Sequence, residues 1–167
     1  AKENGIAMIF QEMSLVPSLT IAENIFLGYE LKKHGMRDVK LMKQETEKVL
    51  KRLGLDLDPG TPVSELSVGL CQMVEIAKAL SFKPRIMVFD EPTAMLDPNG
   101  RKEVIATAHD LNKKKGVTII LITHYMEEVV DADYVYVMEK GKIVMDGTPR
   151  DIFSRVDAVS YTHLRAH

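Results

Sequence analysis

The chain has 167 residues, 46% of them hydrophobic and 28% charged, which is enough for one globular domain with a core. Its 22 Lys and Arg residues are balanced by 24 Asp and Glu residues, which argues against a general nucleic-acid-binding protein. A single cysteine excludes an internal disulfide and fits a reducing compartment. The longest apolar run, residues 117–122, is too short to cross a bilayer, and no signal peptide is visible.

The beginning of the chain predicts a strand and then a short helix. The apolar run from Gly5 to Phe10 is typical of a strand, and Gln11 follows it. Thr20 and Glu23 have the spacing of a capping box, in which each residue bonds the backbone of the other. We therefore expect a helix to begin after Thr20 and to end by Gly28.

Two longer helices are predicted in the next part of the chain. A basic loop is expected at residues 31–36, and helical spacing of apolar residues predicts a helix over residues 40–53. Ser67, in the tetrapeptide Leu66-Ser67-Val68-Gly69, is a good N-cap for a helix running to about Phe82. The N-terminus of such a helix attracts anions, although an ordinary cap is the simpler interpretation of the tetrapeptide alone.

Two adjacent carboxylates follow the most apolar run of the chain. Residues 86–89 are all apolar, which predicts a strand buried on both faces of a parallel sheet. Asp90 and Glu91 then lie at its carboxyl end, where open α/β sheets bind their ligands. Because buried carboxylates without partners are costly, Mg²⁺ held by one carboxylate, with a water positioned by the other, explains the pair. The alternative is a pair of acids that cap the strand before Pro92.

The remaining elements predict a further helix and strand. Asp97 precedes Pro98-Asn99-Gly100, which turns the chain into a helix over about residues 101–114. The apolar run 117–123 predicts another buried strand that ends at His124.

The C-terminal part predicts a short helix, a hairpin and a last helix. The helix is expected over residues 125–132. Strands are expected at 134–138 and 142–146 around a Lys-Gly turn, and Thr148 with Asp151 caps the last helix.

Together, these motifs and their order resemble the nucleotide-binding subunit of ABC transporters. The matching motifs are the Q-loop, signature, Walker B, D-loop and switch histidine, here at Gln11, 66–69, 86–91, 96–97 and His124. The resemblance implies an α/β fold with a P-loop NTPase (ABC ATPase) core. This core would be N-terminally truncated and would carry an inserted α-helical subdomain at about residues 15–83. Residues 1–156 would form a partial nucleotide-binding domain.

The resemblance implies that the matched residues bind and hydrolyse ATP with Mg²⁺. Glu91 would polarise the attacking water and His124 would steady the γ-phosphate, so both are candidate catalytic residues. Asp90 and Gln11 are the candidate metal ligands. The candidate nucleotide-binding residues are Gln11, Ser67, Val68, Gly69, Asp90 and Asp97. In the family, the signature closes over ATP held by the opposite subunit, and the D-loop, here with Asp97, runs along the dimer interface.

The implied function is an ATPase that couples ATP hydrolysis to solute uptake of the sugar type. Its partners would be transmembrane permease subunits, a second ATPase domain in a head-to-tail dimer and, indirectly, a substrate-binding protein, with no nucleic acid. The implied location is peripheral, on the cytoplasmic face of the plasma membrane. The alternatives are an energy-coupling-factor ATPase of vitamin or metal uptake, and a non-catalytic remnant that only binds a partner. A translation or DNA-repair ATPase of the same family is a further alternative, although the long heptad arms of repair members are absent.

The sequence departs from the family pattern in two places. It contains no Gly-x-x-x-x-Gly-Lys-Ser/Thr loop and does not begin with Met, so we expect a fragment that binds MgATP poorly and does not hydrolyse it alone. The missing strands would leave apolar surface of the sheet exposed. Leu70 and Cys71 replace the two glutamines usual after the signature glycine, and Cys71 is interpreted as an inert small residue.

Two parts of the chain resemble different branches of the family. Residues 5–94 resemble sugar-import ATPases, and residues 96–153 resemble energy-coupling-factor ATPases. A chimera and a divergent single gene are both open interpretations. The last residues, 157–167, are interpreted as a non-native tail because 160–167 resemble translated adaptor sequence.

Overall fold

A computed structural model of the chain describes residues 5–33 and 35–155. The proposed tail at 157–167 lies outside the described residues. The chain divides into two compact units, a first unit of residues 1–122 and a second unit of residues 123–167. In the described ranges, no helix is both long enough and apolar enough to cross a membrane.

The first unit alternates strands and helices along the chain. Its strands are β1 (Ile6–Ile9), β2 (Lys32–Lys33), β3 (Met36–Arg37), β4 (Ile86–Asp90) and β5 (Thr118–Ile122). Its helices are α1 (Ile21–Ile25), α2 (Val39–Arg52), α3 (Val68–Ser81) and α4 (Pro98–Lys115). The second unit contains a 3₁₀ turn (Met126–Glu128), β6 (Val135–Glu139), β7 (Lys142–Gly147) and α5 (Pro149–Ser154).

A parallel three-stranded sheet forms the centre of the first unit. The strand order is β1-β4-β5, with β4 in the middle. Ile9 pairs with Phe89, and Asp90 pairs with Ile122, so the carboxyl ends of the three strands meet at one edge. Met87 and Phe89 are fully buried, and α3 and α4 pack against the outer strands β1 and β5. These contacts give the α/β core that the sequence predicted.

The opposite face of this sheet is open. Phe10 is 57% exposed, Ile120 is 48% exposed, and Met8 is exposed beside them. The prediction of a buried strand at 117–123 is therefore wrong for this face, and in β4 the burial on this face is only partial, since Val88 is half-buried. The helices of the described residues that pack on β1 and β5 leave the face accessible. The prediction of exposed apolar sheet surface is confirmed, and such a face is unusual since parallel sheets are normally covered on both sides.

Local patterns place the helix starts correctly. The Thr20 hydroxyl accepts the Glu23 N–H at 3.2 Å, and Glu23 accepts the Thr20 N–H at 3.0 Å, which completes the predicted capping box of α1. Thr148 and Asp151 form the same box at α5. Ser67 caps α3 as predicted, so three of the sequence-based helix starts are confirmed.

Three boundaries differ from the sequence-based expectation. The predicted loop at 31–36 overlaps the antiparallel ribbon β2–β3, in which Lys32 pairs with Arg37. The helix expected from residue 101 begins at Pro98, because Asp97 caps it and proline suits the first turn. The helix expected at 125–132 is only one 3₁₀ turn, which begins without a side-chain cap.

Candidate functional site

The predicted carboxylates lie at the carboxyl edge of the central sheet. Asp90 is the last residue of β4, and Glu91 follows it directly. Since Ile9 of β1 pairs with Phe89 of β4 in parallel register, Gln11 and Glu91 both lie two residues beyond a paired position. The register therefore brings Gln11, Asp90 and Glu91 to the same edge of the sheet, as the resemblance implied.

Glu91 has a backbone conformation that few side-chain-bearing residues adopt. Its φ of 45° is left-handed, a region that costs non-glycine residues about 1 kcal/mol or more. Its N–H donates to the Ile122 carbonyl at the end of β5 at 2.9 Å, and its own carbonyl accepts the Ala94 N–H at 3.2 Å. Strained residues of this kind persist where the surroundings determine their conformation, and they concentrate at functional sites. The edge of the sheet thus fixes the backbone of Glu91, and with it the point from which the side chain leaves the main chain.

The turn after Glu91 connects the sheet edge to α4. Thr93 is fully buried, and its carbonyl accepts the Leu96 N–H at 3.0 Å. Asp97 is exposed, and its Oδ1 accepts the Gly100 N–H at 3.0 Å as the N-cap of α4. A Cβ at Gly100 would lie 2.9 Å from the same oxygen, so glycine permits this close approach. Asp97 therefore has a capping role here, while its role at a dimer interface stays a prediction.

The start of α3 presents an accessible helix N-terminus. The Ser67 hydroxyl accepts the Leu70 N–H at 3.3 Å, and both Ser67 and Val68 are exposed. A Cβ placed on Gly69 would meet no heavy atom within 4 Å, which leaves open space above the first turn. The first N–H groups of a helix lack intrahelical partners and attract anions. The geometry suits a phosphate brought from outside, and binding itself stays a prediction.

Cys71 follows the signature inside the first unit. It is buried, and its thiol lies 3.8 Å from the Val63 carbonyl oxygen. Burial raises the pKa of the Cys71 thiol, and the negative charge of Glu75 raises this pKa further. Because the thiolate is the reactive form, a raised pKa supports the interpretation of Cys71 as an inert small residue.

His124 lies within a closed turn of the second unit. The Thr123 hydroxyl accepts the Tyr125 N–H at 3.0 Å and donates to Glu128 Oε2 at 2.7 Å. Glu128 is only 5% exposed, whereas His124 is exposed and its ring lies 4.1 Å from the Tyr125 ring. Sequence reasoning singled out His124 but missed the roles of Thr123 and Glu128. The signal was available as a threonine directly before the histidine and an acid five residues after that threonine.

The oxygen donors at the sheet edge fit magnesium bound to a nucleotide. Mg²⁺ prefers oxygen ligands, and it commonly takes one or two carboxylates together with waters and phosphate oxygens. Asp90 and Gln11 offer a carboxylate and an amide oxygen at this edge. Within residues 5–33 and 35–155, no three His, Cys, Asp or Glu side chains cluster in a way that would enclose a metal. The donor set therefore fits a metal shared with phosphate better than a metal held by protein alone.

Comparisons with known proteins agree on one family. The family model of ABC transporters matches residues 1–94, which is more than half of the 167 residues. The energy-coupling factor transporter ATP-binding protein EcfA1 of Clostridium novyi is 44% identical over 155 residues, covering 92% of this chain and 54% of that protein. The ribose import ATP-binding protein RbsA 2 of Streptomyces coelicolor is 44% identical over 156 residues, covering 91% of this chain and 30% of that protein. The chain thus spans about half the length of the first relative and less of the second.

A solved structure has the same architecture. The dimeric ATP-binding cassette MJ0796, described as a post-hydrolysis state bound to ADP and Pi, superposes with a TM-score of 0.72. It is 26% identical, and the match covers 89% of this chain and 66% of the cassette. The sheet edge, the capped signature helix and the family match lead to one conclusion: this chain belongs to the ABC transporter family, as part of its ATP-binding domain.

Proposed function

We propose that this chain supplies part of the site that binds and hydrolyses MgATP in an ABC importer. The observation that carries the proposal is the Asp90–Glu91 pair at the carboxyl edge of β4, with Glu91 held in a left-handed conformation by the Ile122 carbonyl. A backbone held in a strained conformation by hydrogen bonds fixes the attachment point of its carboxylate before substrate arrives, which supports the proposal. This arrangement suits a general base better than a simple strand cap.

Each candidate residue has a proposed role in this reaction. Asp90 holds the Mg²⁺ shell, and Gln11 contacts the metal and links its occupancy to the helical subdomain. Glu91 accepts the proton of the attacking water, which requires a carboxylate within hydrogen-bond reach of that water. His124 is proposed to steady the γ-phosphate, and the bonds of Thr123 to Tyr125 and Glu128 hold the backbone on both sides of it.

The second nucleotide-binding surface is proposed to act on a partner domain. The accessible N-terminus of α3, with Ser67, Val68 and Gly69, closes over ATP bound by a second ATPase domain in a head-to-tail dimer. Asp97 lies along that interface. The description of the MJ0796 cassette as dimeric and bound to ADP and Pi supports this proposal.

We propose solute uptake of the sugar type as the coupled process. The 44% identity to a ribose import ATP-binding protein supports it. Equal identity to EcfA1 over nearly the same length supports energy-coupling-factor transport as the second candidate. In either case the chain would lie peripherally at the cytoplasmic face of the membrane, with residues 15–83 as the helical subdomain that meets the permease. A substrate-binding protein would act only indirectly.

The first test recovers the native gene and measures the activity of its product. Native DNA would be sequenced from well upstream of Ala1 through the codons for Ala94–Asp97 and beyond Val159. One continuous gene with a phosphate loop supports a working ATPase, whereas reads that diverge near Asp97 would mean that the halves belong to two proteins.

The second test changes the proposed base in that gene product. Glu91→Gln should lower ATP hydrolysis by about 100-fold or more while ATP binding is retained, because the amide cannot accept the proton of water. Glu103→Gln, a change at an exposed position of α4, is the matched control and should leave turnover unchanged. Full turnover by Glu91→Gln would contradict the proposal.

Nucleotide binding separates the enzyme from a non-catalytic remnant. The purified 167-residue chain has no phosphate loop in its sequence, so we expect weak MgATP binding and no turnover. Titration with a fluorescent ATP analogue measures binding, and phosphate release measures turnover. Clear turnover by this chain alone would disprove this expectation. Failure of the complete gene product to bind ATP would favour the remnant.

A further inference from the structure

Glu75 is a buried acid whose carboxylate binds a residue that is far from it in the sequence. It lies in the middle of α3 and is only 8% exposed. Charged side chains are rarely buried to this degree unless they are bonded, because desolvation of a charge is costly. Both carboxylate oxygens accept from Ser14: Oε1 from its backbone N–H at 2.5 Å and Oε2 from its hydroxyl at 3.2 Å.

A second residue of the same helix completes the contact. Lys78, three residues after Glu75 and therefore on the same face of α3, donates from Nζ to the Ser14 hydroxyl at 3.0 Å. Ser14 thus has its N–H and its hydroxyl bonded to two side chains of one helix. Ser14 itself is exposed, so its position depends on these bonds rather than on burial.

The contact joins two segments that carry candidate site residues. Ser14 follows Gln11 by three residues, and Glu75 follows Ser67 by eight residues on a continuous helix. Eight helical residues correspond to about 12 Å along the axis, so Glu75 lies on the same rigid element as the signature. We propose that Glu75 is a positioning residue that fixes the segment after Gln11 (residues 12–16, the Gln11 segment) to the signature helix α3, so that the segment and the helix move together. Its importance for hydrolysis rests on the function proposed above.

The strength of this contact follows from its charge. Hydrogen bonds to an ionised acceptor are stronger than neutral ones, and removal of the Ser14 donors would leave a buried carboxylate without them. Separation of the segment from α3 is therefore costly. A movement of the Gln11 segment should be transmitted to α3 rather than absorbed by the intervening loop.

The direct test measures hydrogen exchange at the Ser14 amide in the 167-residue chain. Glu75→Met keeps the length and volume of the side chain but removes both acceptors, so Ser14 exchange should accelerate at least about 10-fold. Glu75→Gln keeps one carbonyl oxygen as an acceptor but loses the charge, so it should restore part of the protection. Ser14→Ala loses only the hydroxyl bonds and should retain the protection of the amide at position 14. Unchanged protection in Glu75→Met would overturn the proposal.

A second measurement covers the case in which Glu75→Met does not fold. In the unmodified chain, Ser14 exchange under low denaturant should follow the α3 amides of Ile76 and Leu80, which lie in the core. Ser14 exchange that instead follows the exposed amides of the same loop would overturn the proposal without any variant.

The functional test uses the complete gene product and includes a measurement that a change in stability alone would not alter. Glu75→Met should shift the amide resonances of Gln11 and lower ATP turnover several-fold, and Glu75→Gln should rescue both in part. Turnover that falls without a change at Gln11 would assign Glu75 a purely structural role and overturn the positioning proposal. An absence of ATP hydrolysis in the unmodified product would instead disprove the proposed function and leave the exchange result valid.

Discussion

The segment after Gln11 and the turn around His124 are each held by a hydroxyl–carboxylate hydrogen bond, but the two bonds span very different distances in the sequence. In each, a hydroxyl side chain close to the candidate site residue donates to a buried carboxylate. Ser14 bonds Glu75, which is 61 residues away, whereas Thr123 bonds Glu128, which is five residues away. The His124 turn can close by itself, but the Gln11 segment reaches its partner only after the first unit has folded around it.

This difference has a physical consequence for stability. A contact between distant residues depends on every element that brings them together, and it is lost when those elements separate. A contact within a six-residue turn needs only local backbone order. We therefore expect the Gln11 segment to loosen together with α3, and the His124 turn to persist until the second unit itself unfolds.

The largest expected effect comes from Asn24, which anchors the far end of the Gln11 segment. Asn24 is fully buried, its Oδ1 accepts the Val16 N–H at 2.7 Å, and its Nδ2 donates to the carbonyls of Val16, Leu19 and Thr20. Asn24→Ala leaves these buried groups without partners and should lower the free energy of unfolding by about 3 kcal/mol. Urea unfolding followed by circular dichroism measures this change.

Asn112 provides the matched control for that prediction. Its side chain is half-buried and donates to the Val117 carbonyl at 3.0 Å. Asn112→Ala should lower the free energy of unfolding by about 1 kcal/mol. Equal losses for the two variants would show that burial of the Asn24 network does not determine the stability of this segment.

The second prediction breaks the turn around His124. Glu128→Ala removes the acceptor of the Thr123 hydroxyl and should destabilise the second unit by about 2 kcal/mol. Because the contact is local, faster exchange should appear at the Tyr125 amide, and the amides of α3 should stay protected. Glu127→Ala, at the neighbouring exposed position, should change neither. Loss of α3 protection in Glu128→Ala would contradict the distinction between local and distant contacts.

The third prediction concerns Glu91, whose N–H bond to Ile122 joins two strands that are adjacent in the sheet. Its left-handed φ of 45° favours glycine over any residue with a Cβ. Glu91→Gly should therefore be more stable than Glu91→Ala by about 1 kcal/mol, the reverse of the usual order of these residues. Thermal unfolding of the two variants measures the difference. Greater stability of Glu91→Ala would show that the backbone at this position is not strained.

The features that sequence reasoning predicted are those coded within a few residues. The capping residues Thr20, Ser67 and Thr148 each act on an N–H three positions later, and the strand before Asp90 is marked by its apolar run. These signals depend on local geometry, so they are visible without the fold.

The features that sequence reasoning missed depend on packing between distant elements. Nothing near Ser14 indicates that Glu75 would accept its N–H, because the pairing arises only when α3 packs against β1. The left-handed backbone of Glu91 likewise follows from its bond to β5. The open face of the sheet was predicted only through the resemblance to a larger family domain. In this molecule the places of the candidate residues at the sheet edge and at the start of α3 were predictable, and the long-range contacts around them were not.

The smallest expected effect is on the pH dependence of stability, and it concerns the two capping boxes, one in each unit. Hydrogen bonds from the backbone and side chain of Thr20 hold the pKa of Glu23 below its ordinary value of 4.5, and Arg37 contributes in the same direction. The side chain and backbone of Thr148 similarly lower the pKa of Asp151 from 3.8. A carboxyl with a lowered folded-state pKa stabilises the protein above its unfolded pKa, and this contribution disappears as pH falls through the folded value.

Acid unfolding of variants that no longer titrate at these positions should therefore distinguish the two capping boxes. Glu23→Gln should flatten the loss of stability that begins below about pH 4.5, because the amide keeps a hydrogen-bond acceptor but no longer titrates. Asp151→Asn should have a weaker effect at lower pH, since Asp151 is solvent-exposed and its starting pKa is lower. Urea unfolding at pH 3–7 measures both slopes. A steeper acid slope in Glu23→Gln would mean that the Glu23 carboxylate destabilises α1, which its bonds to Thr20 argue against.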